Sequence, residues 1–345
     1  MNYRTTPFIT FYSICHLMAD AACAFLMLGT VNLSEHIIIG LLLYNGFAFV
    51  LQAPVGYIID RTLNPKWASI LGLLFIAISF LFWNTTFAAI IIAGIGNSFF
   101  HAGAGSMVLS LQKKKAACAG IFVATGGIGL ALGAYLADSP IDFFIQSVPT
   151  VSAVSAGLVL LGVLLYFVKT PAINRTTEGE QIPANYRFFL IILIMLPIIV
   201  RSLIGLSLDF PWKSAQPLLI AMVSAIALGK VVGGILADKI GLMKVGVCGL
   251  IASAPLLAFF PAIPVLGILG VFLLNLTMPV TLVAILKVIP DRKGLTFGIT
   301  TVAIFIGAIP KIVGIDWWIQ DVWLVFTLIF GASLILFTAI QKLKI

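Results

Sequence analysis

Residues 56–61 read Gly56-Tyr57-Ile58-Ile59-Asp60-Arg61, and residues 234–239 read Gly234-Ile235-Leu236-Ala237-Asp238-Lys239. Both spell Gly-x-x-x-Asp followed by a base, and both stand where a long apolar run gives way to polar residues. Glycine lets a neighbouring helix come close. An Asp beside a base, at the water boundary, can bond a neighbouring helix end in one conformation and release it in another. One copy would say little, because charges also simply stop helices. Two copies, at equivalent places in two apolar halves, point to an internal repeat.

The apolar runs around these copies lie at 7–30, 36–59, 67–84, 86–110, 116–137, 149–168, 187–207, 215–237, 242–259, 262–283, 294–311 and 321–340. Hydrophobic residues make up 61% of the 345 and charged residues 9%, where soluble domains carry about half and about a quarter. A water-soluble core cannot absorb that surplus, whereas a helix crossing a bilayer needs roughly 20 apolar residues. The chain therefore reads as an all-α membrane protein, with twelve transmembrane helices in two six-helix bundles. The long polar connection KTPAINRTTEGEQIPANYR (169–187) separates six spans from six. The expected organisation is an N-terminal bundle at 1–168, a cytoplasmic linker at 169–186 and a C-terminal bundle at 187–345. No cleavage site and soluble body follow the first run, which reads as the first span.

Charge sets the expected orientation. With both termini in the cytoplasm, 16 of the 20 Lys and Arg fall on that side; the four exceptions are Lys213 and Lys311 outside and Arg201 and Lys230 within spans. Such a bias is the positive-inside rule, and the six Trp fall near span ends as an aromatic belt does. The expected location is the cell (inner or plasma) membrane. The asymmetry explains the net charge of +8, so nucleic acid is not an expected partner. Cys15, Cys23, Cys118 and Cys248 lie in apolar runs without metal-ligand spacing and read as small packing residues. No metal or cofactor is expected. Phosphate-cradling motifs and a nucleophile with its base are missing from the sequence, which argues against an enzyme. The expected partners are the bilayer, a small solute and protons as coupling ion, acting on a monomer.

A charge at the centre of a span costs roughly 2.5–3.5 kcal/mol, so each one needs a reason. Five residues qualify: His16 and Asp20 in span 1, His101 in span 4, Arg201 in span 7 and Lys230 in span 8. At the helical rise, His16 lies about 18 Å beyond Arg4, His101 about 18 Å before Lys113, and Arg201 about 21 Å beyond Arg187. Asp20 comes out near roughly 24 Å and Lys230 near roughly 12 Å. Spans 1, 4 and 7 thus present an ionisable group at one depth. His16 and Asp20, at i and i+4, share a helix face; they are a candidate proton-carrying pair, or a tether for span 1. His101 is a candidate for proton coupling and substrate contact, or a buried histidine bonded to a carbonyl. Arg201 stays protonated and offers a planar fork suited to carboxylate or phosphate, unless it pairs with Asp20 or Asp209. Lys230 is a further intramembrane charge or snorkels to the boundary. Asn275 and Thr277 in span 10 are candidate hydrogen-bonding contacts for substrate. Gly56, Asp60, Arg61, Gly234, Asp238 and Lys239 are candidates for conformational gating.

The doubled Gly-x-x-x-Asp-Arg/Lys resembles the signature of the major facilitator superfamily, and the likeness runs from end to end. The first copy continues Thr62-Leu63-Asn64-Pro65-Lys66 without the usual glycine, while the second keeps Gly241. The resemblance implies two six-helix bundles rocking about a central site near the bilayer midplane, lined by spans 1, 4, 7 and 10. Further stretches are similar to fosmidomycin-resistance-type transporters: HLMADAACAFL (16–26), LQAPVGYIIDR (51–61), GNSFFHAGAG (96–105), ATGGIGLALGAYLA (124–137), VRSLIG (200–205) and LGKVVGGILADKIG (228–241). His16 and Asp20 match that family's span-1 His-x-x-x-Asp, and Phe100 and His101 its span-4 Phe-His. This likeness implies a proton-driven exporter of small, often anionic, toxic compounds. Two departures stand out. Ala102-Gly103 replace a frequent Pro-Glu, which leaves the substrate open, and Gly126, Gly127, Gly129 and Gly133 resemble an antiporter signature without its proline. The expected function is proton-coupled export of a small, anionic organic solute by alternating access. Its rivals are an importer or uniporter of the same fold, and a non-transporting membrane sensor or assembly protein.

Overall fold

The structure, a computed structural model, describes residues 5–31, 36–111, 116–138, 148–170 and 182–343; the basic run 113–115 and most of the expected linker 169–186 lie outside them. Among the described residues every regular element is helical. Twelve helices are long and apolar enough to cross a membrane: α1 (Thr6–Thr30), α2 (Ile37–Ile59), α3 (Pro65–Phe82), α4 (Thr86–Leu111), α5 (Ala116–Ala137), α6 (Thr150–Phe167), α7 (Ala184–Ser207), α8 (Gln216–Ile240), α9 (Leu242–Phe259), α10 (Pro264–Val288), α11 (Lys293–Ile312) and α12 (Val322–Lys342). The chain is a multi-pass membrane protein. In hydrocarbon every backbone N–H and C=O must be bonded within its own segment, and a helix does that for uniformly apolar sequence.

Local chemistry marks the ends and the breaks. Asn64 caps α3 by accepting from the Lys66 amide (2.9 Å), with Pro65 in the first turn where its missing N–H is harmless. The Lys66 amine in turn donates to the Tyr166 and Val168 carbonyls at the end of α6 (2.6 and 2.9 Å), a cation where a helix presents unbonded carbonyls. Two helices are broken. In α2, Pro54 has no N–H for the Val50 carbonyl, and the chain winds as a π-turn over Gly46–Val50. In α10, Pro279 likewise leaves the Asn275 carbonyl, and the helix is interrupted at Leu276. The span expected to end at 237 continues to Ile240, so Asp238 and Lys239 belong to the last turn of α8. The helix stops only where Gly241 takes a φ of +98°, a conformation that side chains resist.

The helices form two compact units, residues 1–111, 125–175 and 292–302 in one and 112–124, 176–291 and 303–345 in the other. Two helices are divided between them: α5 lends its opening turns to the second unit and α11 lends its opening turns to the first. In the first unit α4 is the axial element, packed along α3 and against α1 and α2. From Gly96 to Leu109 it is buried at every residue but Phe99. Glycine makes that possible: a Cβ on Gly96 or Gly103 would run into the α3 backbone at Ile76 or Ser69. The core of the second unit is built from α9, α10 and α12, with Leu250, Leu257, Leu274, Ile329 and Leu336 fully buried.

Candidate functional site

The buried ionisable residues of the first unit converge on one point. His16 Nε2 lies 2.8 Å from His101 Nε2 and 3.2 Å from Asp20 Oδ2, and His101 Nε2 lies 3.3 Å from Asp20 Oδ1. All three residues are buried. The i, i+4 spacing on α1 brings His16 to Asp20, and α4 supplies His101 from across the unit. His101 Nδ1 sits 2.9 Å from the Asn97 carbonyl, which can only accept, so that nitrogen carries the proton and Nε2 presents a lone pair. The Asn97 amide also donates to Asp20 Oδ1 (3.3 Å). Sequence reasoning passed over Asn97, although Asn97-x-x-x-His101 on α4 mirrors His16-x-x-x-Asp20 on α1.

This arrangement is rich in acceptors. The two carboxylate oxygens and the His101 lone pair face the single proton that His16 Nε2 can carry between them. A 2.8 Å N···N contact holds one proton between the rings and has no room for a second. Among the described residues these three are the one His, Cys, Asp and Glu group whose donor atoms, all within 4.8 Å of one another, could hold a metal ion. Gly126 of α5 closes the cluster: a Cβ there would collide with His16 Nε2 and press on Asp20 Oδ2. Gly126→Ala is therefore expected to lower stability by about 1–3 kcal/mol, the usual cost of overpacking, and to spread the histidines apart. Gly157→Ala on α6, where a Cβ would meet nothing within 4 Å, is the control that should leave the thermal midpoint in place. Equal midpoints in the two variants would contradict the packing described.

Arg201 stands in α7 of the second unit. It is 7% exposed, its Nη1 has no hydrogen-bond partner, and among the described residues it forms no ion pair. It joins neither Asp20, which is engaged by the two histidines, nor Asp209, whose backbone amide bonds Gln320. Breaking up a buried ion pair normally destabilises by about 3–5 kcal/mol, because the remaining charge is uncompensated. The planar fork of a guanidinium matches carboxylate and phosphate geometry. Lys230, half-buried in α8, donates to the Val123 carbonyl (3.3 Å). Asn275 and Thr277 flank the break in α10, and their side chains donate to the Val271 and Leu274 carbonyls of their own helix (2.9 and 2.7 Å).

The two repeat copies make the same bond. Asp60 accepts from the Gly294 and Leu295 amides at the start of α11 (2.8 and 2.9 Å), within the first unit. Asp238 accepts from the Ala116 and Ala117 amides at the start of α5 (2.5 and 3.1 Å), within the second. Each carboxylate satisfies two of the four amides a helix leaves unbonded at its N-terminus, where the helix dipole also favours negative charge. The repeat glycines permit the approach: a Cβ on Gly56 would occupy the Gly294 carbonyl, and one on Gly234 would press on that of Ala116. Arg61 stacks over Tyr57 (4.2 Å), with Arg292 near the same ring (5.5 Å); Lys239 is exposed. Burial pushes the Asp60 carboxyl up from its ordinary range, while the two amides and nearby Arg292 and Lys293 pull it back.

Comparison with known proteins places this geometry. The family model described as Major Facilitator Superfamily matches residues 9–310. No curated protein sequence matches the chain. Among solved structures, the E. coli fucose:proton symporter FucP is similar at a TM-score of 0.64 and 15% identity, over 96% of this chain and 98% of that one. The human organic anion transporter MFSD10 (TETRAN) is similar at 0.68 and 16%, over 97% and 98%. The proton:xylose symporter XylE, bound to 6-bromo-6-deoxy-D-glucose, is similar at 0.67 and 14%, over 98% and 96%. At these identities the likeness is one of fold.

Proposed function

The chain belongs to the major facilitator superfamily, and from that premise we propose that it moves a small organic anion across the membrane by alternating access, driven outward by protons. The observation that carries this reading is Arg201, a permanent charge buried in an apolar helix without a partner among the described residues. Arg201 holds the solute's negative group. His16, Asp20 and His101 carry the coupling proton, with His101 also near the solute. Asn275 and Thr277 supply hydrogen bonds once the break in α10 lets them turn from their own backbone. Asp60 and Asp238, with Gly56, Arg61, Gly234 and Lys239, bias the conformations by gripping and releasing helix starts. Lys230 is a second membrane-embedded charge, held at the Val123 carbonyl.

The moving bodies of this proposal are the bundles 1–168 and 187–345, joined by a cytoplasmic linker at 169–186. The opening turns of α5 and α11, each gripped by an aspartate, are the parts that exchange neighbours. Export and kinship with fosmidomycin-resistance-type transporters rest on the motifs around His16, Asp20 and His101. The setting is the cell membrane, with both termini cytoplasmic on the charge bias and the protein acting as a monomer. Import by symport is the second reading, favoured by the likeness to two proton symporters; fold alone does not choose between them.

A thermal-shift screen of the purified protein tests the solute class. Small organic anions at about 100 times their dissociation constant should stabilise the protein by about 2.7 kcal/mol, while neutral isosteres leave the midpoint unmoved. Stabilisation by neutral or cationic compounds alone would defeat the anion reading.

A further inference from the structure

The Asp60 grip and the histidine cluster are linked by one side chain. Phe297 is buried (4% exposed) and stands on α11 next after the turn whose Gly294 and Leu295 amides Asp60 holds. Its ring lies on Gly105 of α4, where a Cβ would collide with the ring carbons. The ring centre is 6.2 Å from that of His101, one turn before Gly105 on the same helix. The following turns of α11 rest on α2: Gly298 backs onto Ala53, and the Thr301 hydroxyl donates to the Phe49 carbonyl (3.0 Å). One helix start thus carries both the amides that Asp60 holds and the ring that covers His101.

A second observation bears on the same place. The Ser13 hydroxyl, the Gln52 side-chain carbonyl and the Thr296 hydroxyl are buried without hydrogen-bond partners among the described residues. Ser13 lies one turn before His16 on α1, Gln52 lies where α2 meets Gly298, and Thr296 adjoins Phe297. Buried polar atoms are almost always bonded, to protein or to water. These three exceptions on α1, α2 and α11 are groups that water would satisfy if it entered between the helices.

We propose that Phe297 is a plug that keeps water and protons off the His16–Asp20–His101 cluster from the Asp60 end of the helices, and that the Asp60 grip on Gly294 and Leu295 keeps it seated. Its meaning as a gate rests on the proton role given to the cluster above. Phe297 touches no solute in this account; it acts as a positioning residue, setting when the imidazoles meet water.

Deuterium exchange at the imidazole C2–H, read by mass spectrometry on the full chain in detergent, measures the access of each histidine to water. The chain has three histidines, and His36 is exposed, giving a standard in the same sample. Rates are followed across pH so that the plateau is compared separately from the midpoint. The wild-type His101 plateau should be at least about tenfold slower than that of His36, as for sites that exchange only on local opening. Phe297→Ala and Asp60→Asn should each raise it by about tenfold with His36 unchanged, whereas Phe297→Leu, still an apolar plug, keeps it slow. Gly105→Ala gives a second route should either variant fold poorly, since it pushes on the ring without touching the Asp60 contact. It should speed His101 while the Gly294 and Leu295 amides stay protected. A wild-type His101 as fast as His36, or a His101 plateau unchanged in all the ring and grip variants, overturns the plug. Transport does not enter this readout, so a chain that moved no anion would defeat the functional reading and leave the plug to be judged on its own.

Discussion

On the proposed function, Arg201→Ala should weaken binding of an organic anion by about ten- to a hundredfold, the equivalent of one charge-assisted contact of about 1.5–3 kcal/mol. The size follows from burial: a guanidinium shielded from water bonds a carboxylate far more strongly than a surface arginine does. The same burial predicts an opposite effect on the empty protein. Among the described residues the charge in α7 has no counter-ion, and taking such a charge out of an apolar site is neutral or stabilising. The variant should therefore melt at or above the wild-type midpoint while losing the anion-induced shift. Arg201→Lys keeps the charge but loses the planar fork and falls between. Titration of a stabilising anion into the three proteins checks this, and an unchanged dissociation constant in Arg201→Ala removes Arg201 from the binding site.

Asp20→Asn separates driving force from movement. The carboxylate accepts from the Asn97 amide and lies 3.2–3.3 Å from His16 Nε2 and His101 Nε2, and among the described residues it is the negative charge placed to balance a proton on either ring. Asparagine keeps the shape and removes the charge. A protonated imidazole would then be an uncompensated buried cation, at a cost of about 3–5 kcal/mol. Accumulation driven by a pH gradient should fall by about a hundredfold or more. Exchange of labelled for unlabelled solute at equal pH, which needs no net proton movement, should persist. Full gradient-driven accumulation in Asp20→Asn would assign the coupling proton elsewhere.

How much of this was legible depended on what each feature needs from the side chain. The helices were readable because a bilayer imposes length and apolarity on every span. α8 runs three residues past its apolar run because polar Asp238 and Lys239 continue the helix as far as Gly241. His16 and Asp20 were readable as a pair from helical spacing alone. That α4 carries His101 into contact with them is a packing fact; the depth estimate placed the residues level without saying that they touch. Asn97 escaped notice because it is not ionisable, and Gly126 was read as part of a glycine signature without its place against the histidines. One works through its amide and the other by having no side chain at all. The aspartate partners were unreadable in principle, since Gly294, Leu295, Ala116 and Ala117 offer backbone N–H groups that any sequence would provide. For Asn275 and Thr277 the residue types suggested contacts with a solute, whereas the structure gives their polar groups to the α10 backbone. The breaks in α2 and α10 follow from Pro54 and Pro279, a signal present in the sequence and left unread.

The central claim is that a proton gradient moves an organic anion through this chain. Purified protein in sealed proteoliposomes, presented with a labelled anion that shifts its melting point, tests it most directly when only the sign of the pH gradient is varied. Antiport predicts that the anion accumulates in vesicles with an acidic lumen, whichever way the protein is inserted, and that Asp20→Asn vesicles do not accumulate it. Accumulation with an acidic exterior would instead make the protein a symporter and overturn export. Uptake equal under both gradients and under none would contradict proton coupling altogether.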